Sequence, residues 1–215
     1  MNFIRNNWFR IGLIAFICMA FWVLFCGEDM SLIQKLLLAS LMALPLHQFE
    51  EYAMPGGGPV VINKVFWGEK ERYRNYPGNW NSIMIVNLSA YIFYILAIIF
   101  PNVIWLGLAT TLFNLFQVLG HVFEMNIKGR TWYNPGMATS ILLFLPISIV
   151  YIYQTAGLAS GSTWAIAVAA LVVILIVSVI LPVQLLKKKD SPYEIPQWQL
   201  EQFEKVSERF KRTNE

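Results

Sequence analysis

The chain has 215 residues, of which 57% are hydrophobic and 13% charged, with a net charge of +3. An ordinary soluble domain carries roughly 25% charged residues, and a water-soluble fold of this length could not cover so much apolar surface. Together with a mean hydropathy of +0.53, this points to a membrane protein; the small positive charge gives no argument for a nucleic-acid partner and reports loop topology instead.

In chain order, six apolar segments stand out, at 11–26, 32–51, 82–100, 103–125, 138–153 and 164–186. Each approaches the ~20 residues that cross ~30 Å of hydrocarbon as a helix. Strand-like alternation is absent, and helices satisfy their own backbone groups in lipid. The expected fold is therefore all-α, a polytopic membrane bundle of six transmembrane helices within residues 1–190. The first segment follows a basic start (Arg5, Arg10), as the core of a signal peptide would. Its length and the lack of a small-residue cleavage site favour a retained helix. Its two cysteines, Cys18 and Cys26, are too far apart on one straight helix to bond to each other and are expected as buried, unpaired thiols.

The connections alternate in charge. Arg5 and Arg10 precede the first segment; Lys64, Lys70, Arg72 and Arg74 follow the second; Lys128 and Arg130 follow the fourth; Lys187, Lys188 and Lys189 follow the sixth. The stretches 27–31, 101–102 and 154–163 contain no Lys or Arg. The positive-inside rule then places both termini in the cytoplasm, and the plasma membrane of a bacterium is the expected location. Lys35, on the other side, is expected to snorkel. Pro55-Gly56-Gly57-Gly58-Pro59 ends the second helix, and the apolar stretch 60–67 is expected to lie in the interface or dip back into it. Residues 191–215 form a polar cytoplasmic tail. Trp198, Phe203, Val206 and Phe210 recur there at near-helical spacing, which predicts an amphipathic helix on the membrane or on the protein, with a solvated tail as the alternative.

Ionisable residues in membrane helices are costly and carry a partner or a task. The only two histidines each precede a glutamate by three positions: His47-Gln48-Phe49-Glu50-Glu51 and His121-Val122-Phe123-Glu124. Positions three apart share a helix face, and both pairs fall at the same end of their helices. Asn114, Gln117, His121 and Glu124 continue as a polar stripe, Ser40 precedes His47 on the second helix, and Asn87 lies on the third after Asn79 and Asn81. If these faces meet, they form a polar cavity open to the cytoplasm. A short internal repeat supports convergence: His-x-Phe-Glu, a basic loop, then Tyr76-Pro77-Gly78 or Tyr133-Asn134-Pro135-Gly136, then an apolar helix. It suggests tandem units 31–100 and 103–154 related by an axis along the membrane normal.

Imidazoles and carboxylates in this number suit a divalent metal, Zn²⁺ by preference and Fe²⁺ as the other option. His47, Glu50, His121 and Glu124 are the expected ligands, with Glu51 free as general base. Asn87, Asn114 and Gln117 are expected to contact substrate or support the ligands. Shared ligation requires the two imidazoles to approach within roughly 3–5 Å. A metal-held water at the interface would favour hydrolysis or a related transfer on an amphiphilic, lipid-like substrate taken from the bilayer. For Pro135 and Gly136 a tight re-entry turn is the simpler role, whereas the phenol of Tyr133 can reach a ligand or substrate. A transporter or cation-binding protein using the same cluster is the alternative, and it needs a polar path across the whole membrane. A purely structural role, each His–Glu pair anchoring a helix end at the headgroups, is the third reading.

At these residues the chain resembles the HXXEE family of integral membrane proteins. His47-x-x-Glu50-Glu51, the second histidine His121 and Tyr133-x-Pro135-Gly136 occur in that family's order. The resemblance covers the second to fifth helices and supports the choice of residues, while implying no particular reaction.

Overall fold

The structure, a computed structural model, describes residues 1–212; residues 213–215 of the expected tail lie outside the described residues. It is all-helical: α1 Asn2–Cys26, α2 Leu32–Tyr52, α3 58–66, α4 Trp80–Ile99, α5 Ile104–Gly129, α6 Met137–Thr155, α7 Gly161–Leu186 and α8 Gln197–Phe210. Among the described residues there is no strand, only an isolated bridge between Thr131 and Lys211. Six of the helices (α1, α2 and α4–α7) are long and apolar enough to cross a membrane.

Local chemistry sets the helix starts. Ser31 and Gln34 cap α2 reciprocally, and Asn79 with Ser82 does the same for α4, so first-turn amides are satisfied before the chain enters the apolar layer. Among the described residues four π-helical turns occur, at Val61–Phe66 in α3 and at Gly120–Glu124, Ser140–Phe144 and Leu175–Ile180 in the long helices. Such turns leave a wider step between successive side chains and recur at functional sites. The second of them carries His121.

Packing follows the membrane pattern. Ile14, Phe21 and Phe25 on α1 and Val172, Val173 and Leu185 on α7 are exposed, a belt that water would not tolerate at this extent and that lipid covers. Small residues allow close helix approach: a Cβ on Gly12 of α1 would lie 3.3 Å from Pro45 Cβ on α2. At Gly107 of α5, a Cβ would collide with the Tyr151 phenol of α6. The central core joins Leu41 and Leu44 of α2, Tyr94 of α4, Phe113 of α5, Phe144 of α6 and Ile174 of α7.

All four basic segments gather at one end of the bundle. Asn6 accepts from the Trp80 indole at 2.9 Å, and Arg5 lies over the Tyr193 ring at 4.2 Å. Arg74 pairs with Glu194 at 3.2 Å, and the Arg212 amide donates to the Arg130 carbonyl at 2.9 Å. The same contacts explain why α1 starts at Asn2, well before the apolar run: Trp8 and Phe9 are buried against Tyr52, Trp80 and Trp198.

One local expectation changes and two are sharpened. Cys18 and Cys26 are unpaired but exposed on the outer face of α1, because that helix buries only its first turns. The stretch expected in the interface folds as α3, with Val60, Val61 and Asn63 buried against the protein. The tail does form a helix, α8, and it docks on the protein: the Gln199 side chain accepts from the Gly57 amide at 2.6 Å and donates to the Tyr52 carbonyl at 2.8 Å. Gly57 has a φ of +94°, and a Cβ there would lie 2.7 Å from the Phe203 amide nitrogen, so only glycine lets α8 sit this close.

Candidate metal centre

His47 on α2 and His121 on α5 meet inside the bundle, 1% and 2% exposed, with ring centroids 4.9 Å apart and planes nearly perpendicular. Glu51, one α-helical turn beyond His47, lies between them: Oε1 is 3.4 Å from His121 Nε2 and Oε2 is 3.8 Å from His47 Nε2. One ligand atom from each of the three residues falls within 4.8 Å of the others. The separation expected for shared ligation is therefore met. Tetrahedral bonds of ~2.0–2.1 Å would bring such atoms to about 3.4 Å from one another, so small side-chain movements close the set. This group can hold a metal ion.

The hydrogen bonds behind the rings fix their tautomers. The Asn134 amide donates to the His121 carbonyl and to Asn126 Oδ1, both at 2.7 Å. Its oxygen is thereby turned toward His121 Nδ1, 2.7 Å away, and accepts the ring proton. The Thr139 hydroxyl donates to Glu50 Oε2 at 2.5 Å and so accepts from His47 Nδ1 at 3.0 Å. In the neutral rings both Nε2 atoms thus present lone pairs to the centre; His47 Nε2 is buried with no hydrogen-bond partner, and His121 Nε2 faces the Glu51 carboxylate at 3.4 Å. Two lone pairs and a carboxylate facing one another across a buried space repel unless a positive charge, a metal ion or a proton on His121 beside Glu51, sits among them. Oriented imidazoles with the distal nitrogen bonded to a protein oxygen are the usual support for metal-ligating histidine.

Glu50 stands outside this group. Its carboxylate accepts from the Tyr133 hydroxyl at 2.7 Å, the amides of Ala138 and Thr139 at 3.0 and 2.7 Å, and the Thr139 hydroxyl. It therefore caps the N-terminus of α6, where the helix dipole favours an anion. One step along an α-helix turns a side chain by about 100°, and this step separates Glu50 from the face shared by His47 and Glu51. Tyr133 acts on Glu50 and not on the central group. Burial, then the hydrogen bond to Glu50 and its negative charge, push the Tyr133 phenol well above its ordinary range.

Glu124 is also apart. Its carboxylate pairs with Lys128 at 2.8 Å and is 42% exposed. The π-helical turn Gly120–Glu124 winds less per residue than an α-helix, so three positions carry Glu124 away from the face of His121. Each unit of the suggested repeat thus supplies its histidine, while the central carboxylate comes from the first alone.

The group forms part of the wall of a cavity of about 500 Å³, a size typical of small-molecule sites. Gln117 and Glu124 of the polar stripe line it, as do Asn87, Gln48 and Tyr52, but most of the wall is apolar. Asn87 donates to the Tyr52 hydroxyl at 2.9 Å, and its carbonyl accepts from Gln48 at 3.2 Å. Asn114 does not reach the cavity wall: it is fully buried, donating to Ser40 at 2.7 Å and accepting from Tyr94. Sequence reasoning missed Asn134 and Thr139. Asn134 is the variable position of Tyr-x-Pro-Gly, and its signal was a polar residue immediately before that turn. Gly136 in the same turn has a φ of +98°, and a Cβ there would collide with Cε1 of the His121 ring. Glycine is therefore required by the backbone and by the histidine ring together.

The fold and this site define a polytopic helical membrane protein with a buried His–Glu–His group. The family described as proteins of unknown function with an HXXEE motif matches residues 38–151, more than half of the chain. The chain belongs to the HXXEE family. That span contains His47, Glu51, His121 and the residues that support them, and leaves out α1, α7 and α8. Nothing among curated proteins or solved structures matches the chain.

Proposed function

We propose that this protein is a zinc-dependent membrane hydrolase of the bacterial plasma membrane, acting on a lipid-like substrate at the cytoplasmic leaflet with both termini inside. One observation carries the reading: two imidazole lone pairs and the Glu51 carboxylate converge, each imidazole held by a hydrogen bond from its far nitrogen. Two histidines and a glutamate leave a fourth position for water, the ligand set of catalytic zinc sites; Fe²⁺ is the other ion that suits it.

Zinc there would acidify its water and polarise a carbonyl. His47, His121 and Glu51 hold the ion in this reading. Hydrolysis at such a site would add the water oxygen to the acyl carbon, break the acyl–oxygen or acyl–nitrogen bond and pass the water proton to the leaving alcohol or amine. Glu51 thus exchanges the base role expected from sequence for a ligand role. The gathering of the basic segments at one end supports the orientation. A transporter would need a continuous polar path, whereas beyond Asn114 the bundle is filled by Leu37, Leu108 and Tyr151.

Metal analysis of the full chain, purified without chelators, tests the reading. One zinc per chain, lost in His47→Ala and in His121→Ala, is expected. Wild-type protein with no metal above background overturns it.

A further inference from the structure

The chemistry of the cavity wall narrows what can enter it. Among the described residues no Lys or Arg lines the cavity. Outside the central group, Glu124 is the one carboxylate on the wall among the described residues, and Lys128 pairs with it at 2.8 Å. The remaining polar groups are amides and a phenol, several of them bonded to each other. A phosphate or carboxylate headgroup in a mostly apolar enclosure would be desolvated without a cationic side chain to meet it, at substantial cost.

The mouth points the same way. Trp67 at the end of α3 and Phe116, Leu119 and Phe123 on α5 line the cavity and are also exposed on the outer surface. In a bilayer these rims face acyl chains. Lys128, which donates to the Phe66 carbonyl at 3.3 Å, marks the headgroup level at the same rim. A molecule entering by this opening comes sideways from the leaflet.

Resting on the reading of the His–Glu–His group as the reactive end, we propose that the cavity binds an uncharged single-chain amphiphile, such as a neutral fatty ester, amide or alcohol, drawn laterally from the membrane. The apolar wall takes the chain, and the carbonyl or hydroxyl meets the His–Glu–His group. Anionic lipids of equal chain length are disfavoured: no Lys or Arg meets their headgroup on the wall, and the charge of an ion held by the group is already partly neutralised by Glu51.

The test uses the full chain in nanodiscs of zwitterionic lipid and a long-chain fatty alcohol bearing a photoactivatable diazirine. Labelled peptides are mapped by mass spectrometry, with metal content measured on the same samples. Label is expected on cavity residues of α4 and α5. An unlabelled fatty alcohol should displace it, and the phosphate monoester of the same chain should compete about tenfold less well or worse. Leu119→Trp, at an exposed rim position, should reduce labelling while leaving metal content unchanged. Equal or better competition by the phosphate ester overturns the proposal, as does label confined to the outer surface of α1 and α7. Cavity labelling in protein that carries no metal sinks the zinc reading and leaves this one standing; bound metal with no cavity labelling does the reverse.

Discussion

The side-chain oxygen of Asn134 stands 2.7 Å from Nδ1 of His121, and the amide nitrogen of the same residue donates to the His121 carbonyl at the same distance. One side chain thus reads both the ring and the backbone of the histidine and leaves Nε2 as its only free lone pair. Asn134→Asp offers acceptors but loses the amide donor, so the ring remains oriented while its backbone anchor is lost. Asn134→Leu removes both. Zinc affinity measured by competition with a chromophoric chelator is expected to fall by roughly 10–100-fold in Asn134→Leu, the usual cost of losing such support, and by less in Asn134→Asp. Unchanged affinity in Asn134→Leu would show that the orientation of His121 does not depend on this residue.

Glu50 and Glu51 are adjacent and should behave as opposites. Glu51→Gln removes a carboxylate from the central group and is expected to abolish stoichiometric metal while the protein stays folded. Glu50→Gln is expected to keep metal but to lower stability by about 1.5–3 kcal/mol, because α6 loses a charged acceptor for several donors. Thermal unfolding in detergent, read beside metal content, separates the two. Metal loss in Glu50→Gln alone would reverse the roles of the two carboxylates.

Gly136→Ala tests backbone and ring together. The left-handed conformation costs a non-glycine residue roughly 1–2 kcal/mol, and the added Cβ would run into Cε1 of His121. Lower thermal stability and weaker metal binding are both expected. A variant that loses stability but binds metal normally would confine the role of Gly136 to the turn.

Tyr133→Phe removes the phenol that donates to Glu50. Because burial and the neighbouring Glu50 raise the phenol's pKa, the folded protein favours the neutral form. That contribution is complete below the ~10 of an unfolded tyrosine and is lost only as pH rises beyond it. The stability gap between wild type and Tyr133→Phe should therefore stay constant from about pH 6 to about pH 9. A gap that closes within that range would mean that the phenol ionises there.

The legible part of this protein was what lipid enforces. Six apolar runs, their breaks at Pro and Gly, and the common depth of His47 and His121 follow from hydropathy and helix length, and the structure reproduces them. What stayed hidden is set by rotation about helix axes. His47 shares a face almost equally with a residue three or four positions on, so spacing alone could not support the choice of Glu50 over Glu51 as ligand, and the amide donors of α6 claim Glu50 instead. A π-helical turn cannot be seen in apolar periodicity, so Glu124 looked aligned with His121. Asn114 read as the head of a polar stripe because its partners, Ser40 and Tyr94, come from other helices.

The packing beyond Asn114 also bears on traffic. If the cavity is closed at that end, its contents have only the lipid-facing doorway between α3 and α5. Under the proposed hydrolase reading, what enters from the leaflet would have to back out into the same leaflet, and the half of a cleaved molecule that keeps its chain would compete with the next arrival for the same slot. Turnover would then be governed by the partition of that chain between protein and bilayer, so that lengthening it would tighten occupancy and slow release.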